Sequence, residues 1–96
     1  MGIPMEKVPG NKQDHKVKIF TLSTCGWCKK MKALLKDLDV EYEYVDIDLV
    51  TGEEREKVRE ELRKYNPRMS APTLVIDDGK DVIIGFDEEK VKGCLR

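Results

Sequence analysis

Residues 17–35, with the sequence VKIFTLSTCGWCKKMKALL, decide the fold because their pattern changes from strand to helix at a single point. Residues 17–22 form an apolar, β-branched run that is typical of a buried strand. Residues 26–38 then repeat apolar side chains at the spacing of one helix face. A C-x-x-C sequence, from Cys25 to Cys28, lies where the two patterns meet.

A C-x-x-C sequence at a strand-to-helix junction places its first sulfur, that of Cys25, at the N-terminus of the helix. Free N–H groups and the helix dipole favour a thiolate over a thiol at that position. The sulfur of Cys28 lies one turn further along the helix and can close a disulfide with the first, an arrangement typical of a dithiol redox catalyst. Zinc would need a second ligand pair, and only Cys94 and His15 remain, far apart in the chain. A purely structural disulfide would be an unusual use of a small loop at a helix start.

Length and composition limit the remaining possibilities. The 96 residues are enough for one domain with one sheet-and-helix core. Three cysteines do not make the disulfide framework of a secreted protein. The first fifteen residues lack the apolar core of a signal peptide, and no stretch approaches transmembrane length. We therefore expect a cytoplasmic protein that does not bind a membrane.

The charge of the chain is nearly balanced but unevenly distributed. The formal net charge of −1 argues against a protein that binds nucleic acid. Residues 1–38 carry eight lysines and three acidic residues, whereas residues 39–96 carry ten lysines or arginines and sixteen acidic residues. The C-x-x-C sequence therefore lies in the basic half, although solvated lysines on a helix face explain most of this excess.

The rest of the chain predicts alternating strands and helices after a short arm. Residues 1–15 contain prolines and glycine without periodicity and are predicted to be a flexible arm, followed by one domain over residues 16–96. Residues 41–47 alternate as a half-exposed edge strand does. A helix is predicted to begin near Thr51, which has capping-box spacing to Glu54, and to end before Pro67.

The last third of the sequence predicts two strands and a helix. Residues 73–76 are nearly all apolar, as in a strand buried on both faces. Asp78-Gly79 is a hairpin turn signal, after which residues 82–84 pair back. Acidic residues from Asp87 onward favour the start of a final helix. The predicted fold class is therefore α/β, with a four-stranded mixed sheet, helices on both faces and the order βαβα-ββα.

These features together resemble the glutaredoxin family of the thioredoxin superfamily. The resemblance covers residues 16–96 and includes the element order, the C-x-x-C sequence that opens the first helix, Ala71-Pro72-Thr73 before the third strand and Gly85 before the last helix. It implies a thioredoxin fold of the glutaredoxin type. It also implies a thiol–disulfide oxidoreductase, an activity that maintains the redox state of the cell and carries electrons.

The resemblance assigns a role to each part of the site. Cys25 is the expected nucleophile and Cys28 the resolving thiol, both in a redox-active disulfide. Gly26 and Trp27 shape the loop, with Trp27 as a flat apolar contact beside the sulfur; packing in the core is the alternative for this tryptophan.

Ala71 and Pro72 form the second half of the expected binding site. In the family this proline follows a cis peptide bond, which leaves the backbone of Ala71 free to pair with an extended substrate. The alternative is a trans proline at a strand start.

Two positions depart from the family pattern for binding glutathione. Leu22 stands where a lysine commonly pairs with the glycyl carboxylate, and Ile84-Gly85 stands where a Gly-Gly pair is common. Asp87 matches the acidic position that contacts the glutamyl ammonium. The expected substrate-binding residues are Gly26, Trp27, Ala71, Pro72, Gly85 and Asp87, and glutathione as a co-substrate is left open.

The sequence therefore predicts a monomeric dithiol–disulfide oxidoreductase that reduces protein disulfides. Its electron source would be a thioredoxin-type reductase or glutathione, with no tightly bound cofactor and no metal site. The alternative is a carrier in which Cys25 and glutathione bridge a [2Fe–2S] cluster between two protomers; Gly26 favours it and Cys28 argues against it. A zinc-binding module is a third interpretation. Cys94 is expected to be an inert thiol, with a regulatory or intermolecular disulfide as its alternative.

Overall fold

Strand β2, Val17–Thr21, is the centre around which the fold is built. The computed structural model describes residues 3–95. Strand β2 pairs in parallel with β3, Tyr42–Asp46, and antiparallel with β4, Thr73–Ile76. The parallel pair is connected by a helix, as strands that run in the same direction require.

The other elements complete a mixed sheet with helices on both faces. They are β1, Glu6–Val8; α1, Gly26–Asp37; α2, Gly52–Tyr65; β5, Asp81–Ile84; and α3, Glu88–Leu95. The strand order across the sheet is β1-β3-β2-β4-β5. The α/β class and the mixed sheet are thus confirmed. Among the described helices, none combines the length and the apolar character needed to cross a membrane.

Alternation along the central strands divides the core into two clusters. Ile19 of β2 and Leu74 of β4 point to the face covered by α1 and α3. Phe20 and Val75, the next residue along in each strand, point to the face covered by α2. All four side chains are at most 1% exposed, so the prediction that residues 73–76 are buried on both faces is confirmed.

A fifth strand replaces part of the arm that the sequence predicted to be flexible. Strand β1 pairs antiparallel with β3, and Glu6 lies opposite Tyr44. The four-strand prediction is therefore wrong, as is the prediction that residues 41–47 form a sheet edge. Three residues are too few to show a strand pattern, so this pairing depends on tertiary contact. Met1, Gly2 and Arg96 lie outside the described residues.

Hydrogen bonds hold the arm against the turn between α1 and β3. The Asn11 side-chain amide donates to the Asp39 carboxylate at 2.7 Å, and the Lys12 N–H donates to the Asp39 carbonyl at 2.9 Å. The Glu41 N–H returns a bond to the Lys12 carbonyl at 3.0 Å. Gly10 passes so close to the backbone of this turn that a Cβ placed on it would lie 2.6 Å from the Glu41 nitrogen.

Two predicted helix starts and one predicted turn have different outcomes, of which one is wrong and two are correct. Thr51 makes no side-chain capping bond, so the capping box is wrong; the chain enters α2 through Gly52 with φ +64° instead. Asp78 and Gly79 adopt positive φ at the predicted turn. Asp87 precedes α3 and accepts the Lys90 N–H at 3.2 Å, which makes it the N-cap of that helix.

We predict that Gly10→Ala destabilises the protein by about 1–3 kcal/mol, because the added methyl group would overlap the backbone of the α1–β3 turn. The matched control is Gly93→Ala in α3, where an added Cβ meets nothing within 4 Å. This control should be neutral or stabilising by about 0.5–1 kcal/mol. Urea unfolding measures both changes. Equal stability of the two variants would show that the arm does not pack as described.

Candidate active site at the carboxyl ends of the parallel strands

Cys25 lies between the end of β2 and the first turn of α1, where it is the N-cap residue. Its sulfur accepts the Cys28 N–H at 3.2 Å, and its own N–H donates to the Leu22 carbonyl at 3.1 Å. The side chain is half-buried. The predicted position of the first sulfur at a helix N-terminus is therefore confirmed, and the donor and the helix dipole both favour negative charge on it.

Cys28 lies one turn deeper and is only 1% exposed. Burial raises the pKa of Cys28 to about 12; its hydrogen bond with the Cys25 sulfur and repulsion by that sulfur act in the same direction. The charge of Lys32 and the Leu22 backbone oppose this rise. Cys28 is therefore a protonated thiol at neutral pH, held beneath a more accessible partner.

A carboxylate from the neighbouring strand connection holds the loop that leads into Cys25. The Ser23 N–H donates to Asp48 Oδ1 at 2.9 Å, and the Ser23 hydroxyl donates to the other carboxylate oxygen. These bonds, that of the hydroxyl most strongly, hold the pKa of Asp48 below its usual value. Asp48 lies in the short turn after β3, where no sequence pattern marks it.

A second polar cluster lies at the ends of β2 and β3. The Thr21 hydroxyl donates to Asp46 Oδ1 at 2.6 Å, and the Lys32 ammonium lies 3.6 Å from the same oxygen. Lys32 also lies 3.8 Å from the centre of the Tyr44 ring. The expectation that the lysines of α1 simply face water is therefore wrong for Lys32, whereas Lys29 and Lys30 are exposed.

A shallow groove of about 220 Å³ contains four of the predicted binding residues. It is lined by Trp27, Ala71, Pro72, Gly85 and Phe86. The Ala71–Pro72 bond is cis, as the resemblance implied. The Gly85 N–H donates to the Pro72 carbonyl at 2.8 Å and joins the two loops that form the groove.

Trp27 lies on the surface of this groove and is 58% exposed, so the alternative of packing in the core is wrong. Its ring stacks on Phe86 with centroids 5.8 Å apart and an interplanar angle of 27°. The Lys30 ammonium lies 4.6 Å from the Trp27 ring centre. Phe86 is a groove residue that the sequence analysis missed, since a single aromatic residue after Gly85 carries no pattern.

The two remaining predicted binding residues, Gly26 and Asp87, do not line the groove. Gly26 opens α1 and has no atom within 4 Å of an added Cβ. Asp87 is not among the groove residues, and one of its carboxylate oxygens caps α3. Cys94 is half-buried in α3 against the core, and burial raises the pKa of its thiol.

Comparisons with known proteins show the family to which the chain belongs. The family model of glutaredoxin matches residues 17–82. Glutaredoxin 1 of Rickettsia felis is 33% identical over 79 residues, which cover 78% of this chain and 74% of that protein. The structure of a glutaredoxin from Methanosarcina mazei Go1 has 43% identity and a TM-score of 0.85, over 95% of this chain and 86% of that one. Methanosarcina acetivorans methanoredoxin has 40% identity and a TM-score of 0.81, over 86% of each chain. The chain therefore belongs to the glutaredoxin family of thiol redox proteins and has its thioredoxin-like fold.

Proposed function

We propose that the protein reduces disulfides in other proteins through Cys25 and Cys28. The observation that carries the proposal is the unequal placement of the two thiols. The Cys25 side chain is only half-buried and its sulfur accepts an N–H at a helix N-terminus, whereas Cys28 is buried one turn below it. Cys25 is thus suited to attack a substrate disulfide, and Cys28 is suited to attack the mixed disulfide that results.

The reaction has two exchange steps. In the first, the Cys25 thiolate attacks one sulfur of the substrate disulfide; a mixed disulfide forms, and the second substrate sulfur leaves as a thiolate that takes up a proton. In the second, Cys28 loses its proton and attacks the Cys25 sulfur, which releases the first substrate sulfur as a thiol. Two electrons have then moved to the substrate, and glutathione or a thioredoxin-type reductase returns two electrons to the Cys25–Cys28 disulfide.

Exposed apolar side chains near Cys25 favour a protein substrate. Strands β2, β3 and β5 run in the same direction, because β4 is antiparallel to both β2 and β5. These three strands therefore terminate at the same end of the sheet, and α1 also starts at that end. The large apolar side chains that are exposed among residues 3–95 all lie there: Leu22, Trp27, Leu49 and Ile84. Such a grouping is typical of a surface that contacts another protein.

The contacts expected for glutathione are less complete. Leu22 is 39% exposed beside the site and provides no cation for a glycyl carboxylate. The Asp87 carboxylate already accepts the Lys90 N–H, so a glutamyl ammonium would have to share this carboxylate with the start of α3. A lost charge-assisted contact costs about 1.5–3 kcal/mol, or roughly tenfold to a hundredfold in affinity. Glutathione is therefore the weaker of the two proposed substrates.

One observation favours the alternative of an iron–sulfur carrier. Gly26, the residue that follows Cys25, has open space where a Cβ would stand, which leaves room in this loop for a bulky group shared with a second copy. Anaerobic reconstitution with iron and sulfide distinguishes the two functions. A brown dimer whose absorbance is lost in Cys25→Ser, together with no disulfide reductase activity, would establish the carrier instead of the reductase.

We predict that brief treatment with iodoacetamide at pH 7 labels Cys25 much faster than Cys28 or Cys94. Only about one Cys28 in 10⁵ is a thiolate at that pH if its pKa is about 12, and its sulfur is also buried. Peptide mass mapping after short exposures gives the order of labelling. Faster labelling of Cys28 would reverse the assigned roles.

We predict that the wild type reduces insulin disulfides with dithiothreitol as the electron source. Cys25→Ser should abolish this activity, because the attacking sulfur is lost. Cys28→Ser, reduced beforehand and freed of dithiothreitol, should instead accumulate a mixed disulfide with insulin, since neither the resolving thiol nor an added dithiol can release it. Non-reducing electrophoresis detects that adduct. An inactive wild type, or an adduct on Cys94, would contradict the proposal.

We predict that Leu22→Lys raises the turnover of glutathione mixed disulfides by about tenfold, because it adds one charge-assisted contact beside the site. Reduction of insulin should change much less, because three of the four exposed apolar side chains of that surface remain. Leu49→Lys is the matched control, since it adds the same charge at a leucine that is 66% exposed on the same end of the molecule. Equal gains in the two variants would mean that general positive potential, rather than a contact at residue 22, limits glutathione use.

A further inference from the structure

Asn66 has a polar side chain that is 1% exposed, outside the dithiol and outside the residues of the groove. Its Nδ2 donates to the Ser70 hydroxyl and to the Thr73 hydroxyl, each at 3.0 Å, and lies 3.3 Å from the Ser70 carbonyl. Its Oδ1 accepts the Arg68 N–H at 3.1 Å. Both ends of the amide are thus occupied by the loop that follows α2.

The backbone of Asn66 is held as firmly as its side chain. It is the C-cap residue of α2, and its N–H donates to the Leu62 carbonyl at 2.8 Å. Its carbonyl accepts the Met69 N–H at 2.9 Å. Leu62 is fully buried in the core cluster beneath α2, so the end of this helix is fixed against the sheet. The side-chain amide of Asn66 therefore starts from a fixed backbone position.

The partners of Asn66 lie on both sides of the Ala71–Pro72 dipeptide. Ser70 precedes the dipeptide, and Thr73 follows it as the first residue of β4. The Thr73 hydroxyl also donates to the Ser70 carbonyl at 2.7 Å, which closes a three-residue network. Thr73 is fully buried, and its backbone pairs with β2 and β5. The network therefore connects the end of α2, the loop and the sheet.

The loop presents a backbone that is available to a substrate. Within residues 3–95, neither the N–H nor the carbonyl of Ala71 has a hydrogen-bond partner, although Ala71 lines the groove beside Trp27. An extended segment can pair with such a backbone only if the loop is held in one position. A buried amide whose groups are all bonded supplies that rigidity, whereas an apolar side chain of equal size would fill the space without fixing the loop.

We propose that Asn66 is a positioning residue for disulfide reduction, which acts by holding the Ala71 backbone beside the groove for a substrate segment. This role rests on the proposed function, since it concerns how the same site takes its protein substrate. Asn66 itself touches neither the substrate nor the reacting sulfurs. Its loss should therefore weaken substrate binding without changing the reactivity of Cys25 toward a small reagent.

The test uses substitutions on both sides of the network in the full chain. Asn66→Ala removes the amide, Thr73→Val removes the hydroxyl with little change of shape, and Thr73→Ser keeps the hydroxyl. Val91→Ala is the control for lost stability, because Val91 is fully buried in α3 and belongs to the other core cluster. Urea midpoints, insulin reduction, iodoacetamide labelling of Cys25 and hydrogen exchange of residues 67–73 are measured for each.

We expect kcat/KM for insulin to fall about tenfold in Asn66→Ala and in Thr73→Val, mainly through a higher KM. Labelling of Cys25 should stay within twofold of the wild type, and exchange of residues 67–73 should become faster. Thr73→Ser should keep at least half of the wild-type kcat/KM. Val91→Ala should lower the urea midpoint without raising KM.

Unchanged kinetics and unchanged exchange in Asn66→Ala would overturn the proposal, as would a fall in Cys25 labelling that parallels the fall in turnover. Hydrogen exchange measures how firmly residues 67–73 are held when no substrate is present. If the wild type reduces no insulin, the proposed function fails, and with it the role in catalysis, even when exchange shows that Asn66 holds the loop.

Discussion

The parallel pairing of β2 with β3 is the constraint on which the site depends. Two strands that run in the same direction must be joined by a crossover, and α1 makes that crossover. Helix α1 therefore starts at the carboxyl edge of the sheet, where Cys25 becomes its N-cap. The same edge carries the turn after β3, so Asp48 can bond to Ser23 although 25 residues separate them in the chain. The reactive loop is thus held from both strands.

The parts of this arrangement that the sequence predicts are those carried by contiguous patterns. The change of pattern at Cys25, the apolar run from Thr73 and the Asp78-Gly79 turn each lie in one continuous stretch of sequence, and each has a local physical cause. The end of α2 before Pro67 is of the same kind. The family resemblance adds the role of each residue. A short motif does not by itself show which distant residues lie beside it in the folded chain.

The parts that the sequence does not predict depend on contacts between distant segments. Strand β1 has only three residues, and the bonds of the arm to Asp39 and Glu41 become visible only once the arm lies on the turn. Asp48, Phe86 and Asn66 are single residues without a periodic signal. Thr51 shows the opposite failure, since its spacing fits a capping box but Gly52 turns the chain so that no such bond forms.

Under the proposed mechanism, the first exchange step prepares the second. Burial is the main cause of the high pKa of Cys28, but the hydrogen bond with the Cys25 sulfur and repulsion by that sulfur also raise it. A Cys25 sulfur that is bonded to a substrate sulfur has no ionised form, so this repulsion is absent from the mixed disulfide. The charge of Lys32, held by Asp46 and the Tyr44 ring, still lowers the pKa of Cys28. The resolving thiol is therefore least reactive while Cys25 is free and becomes easier to deprotonate when a mixed disulfide has formed.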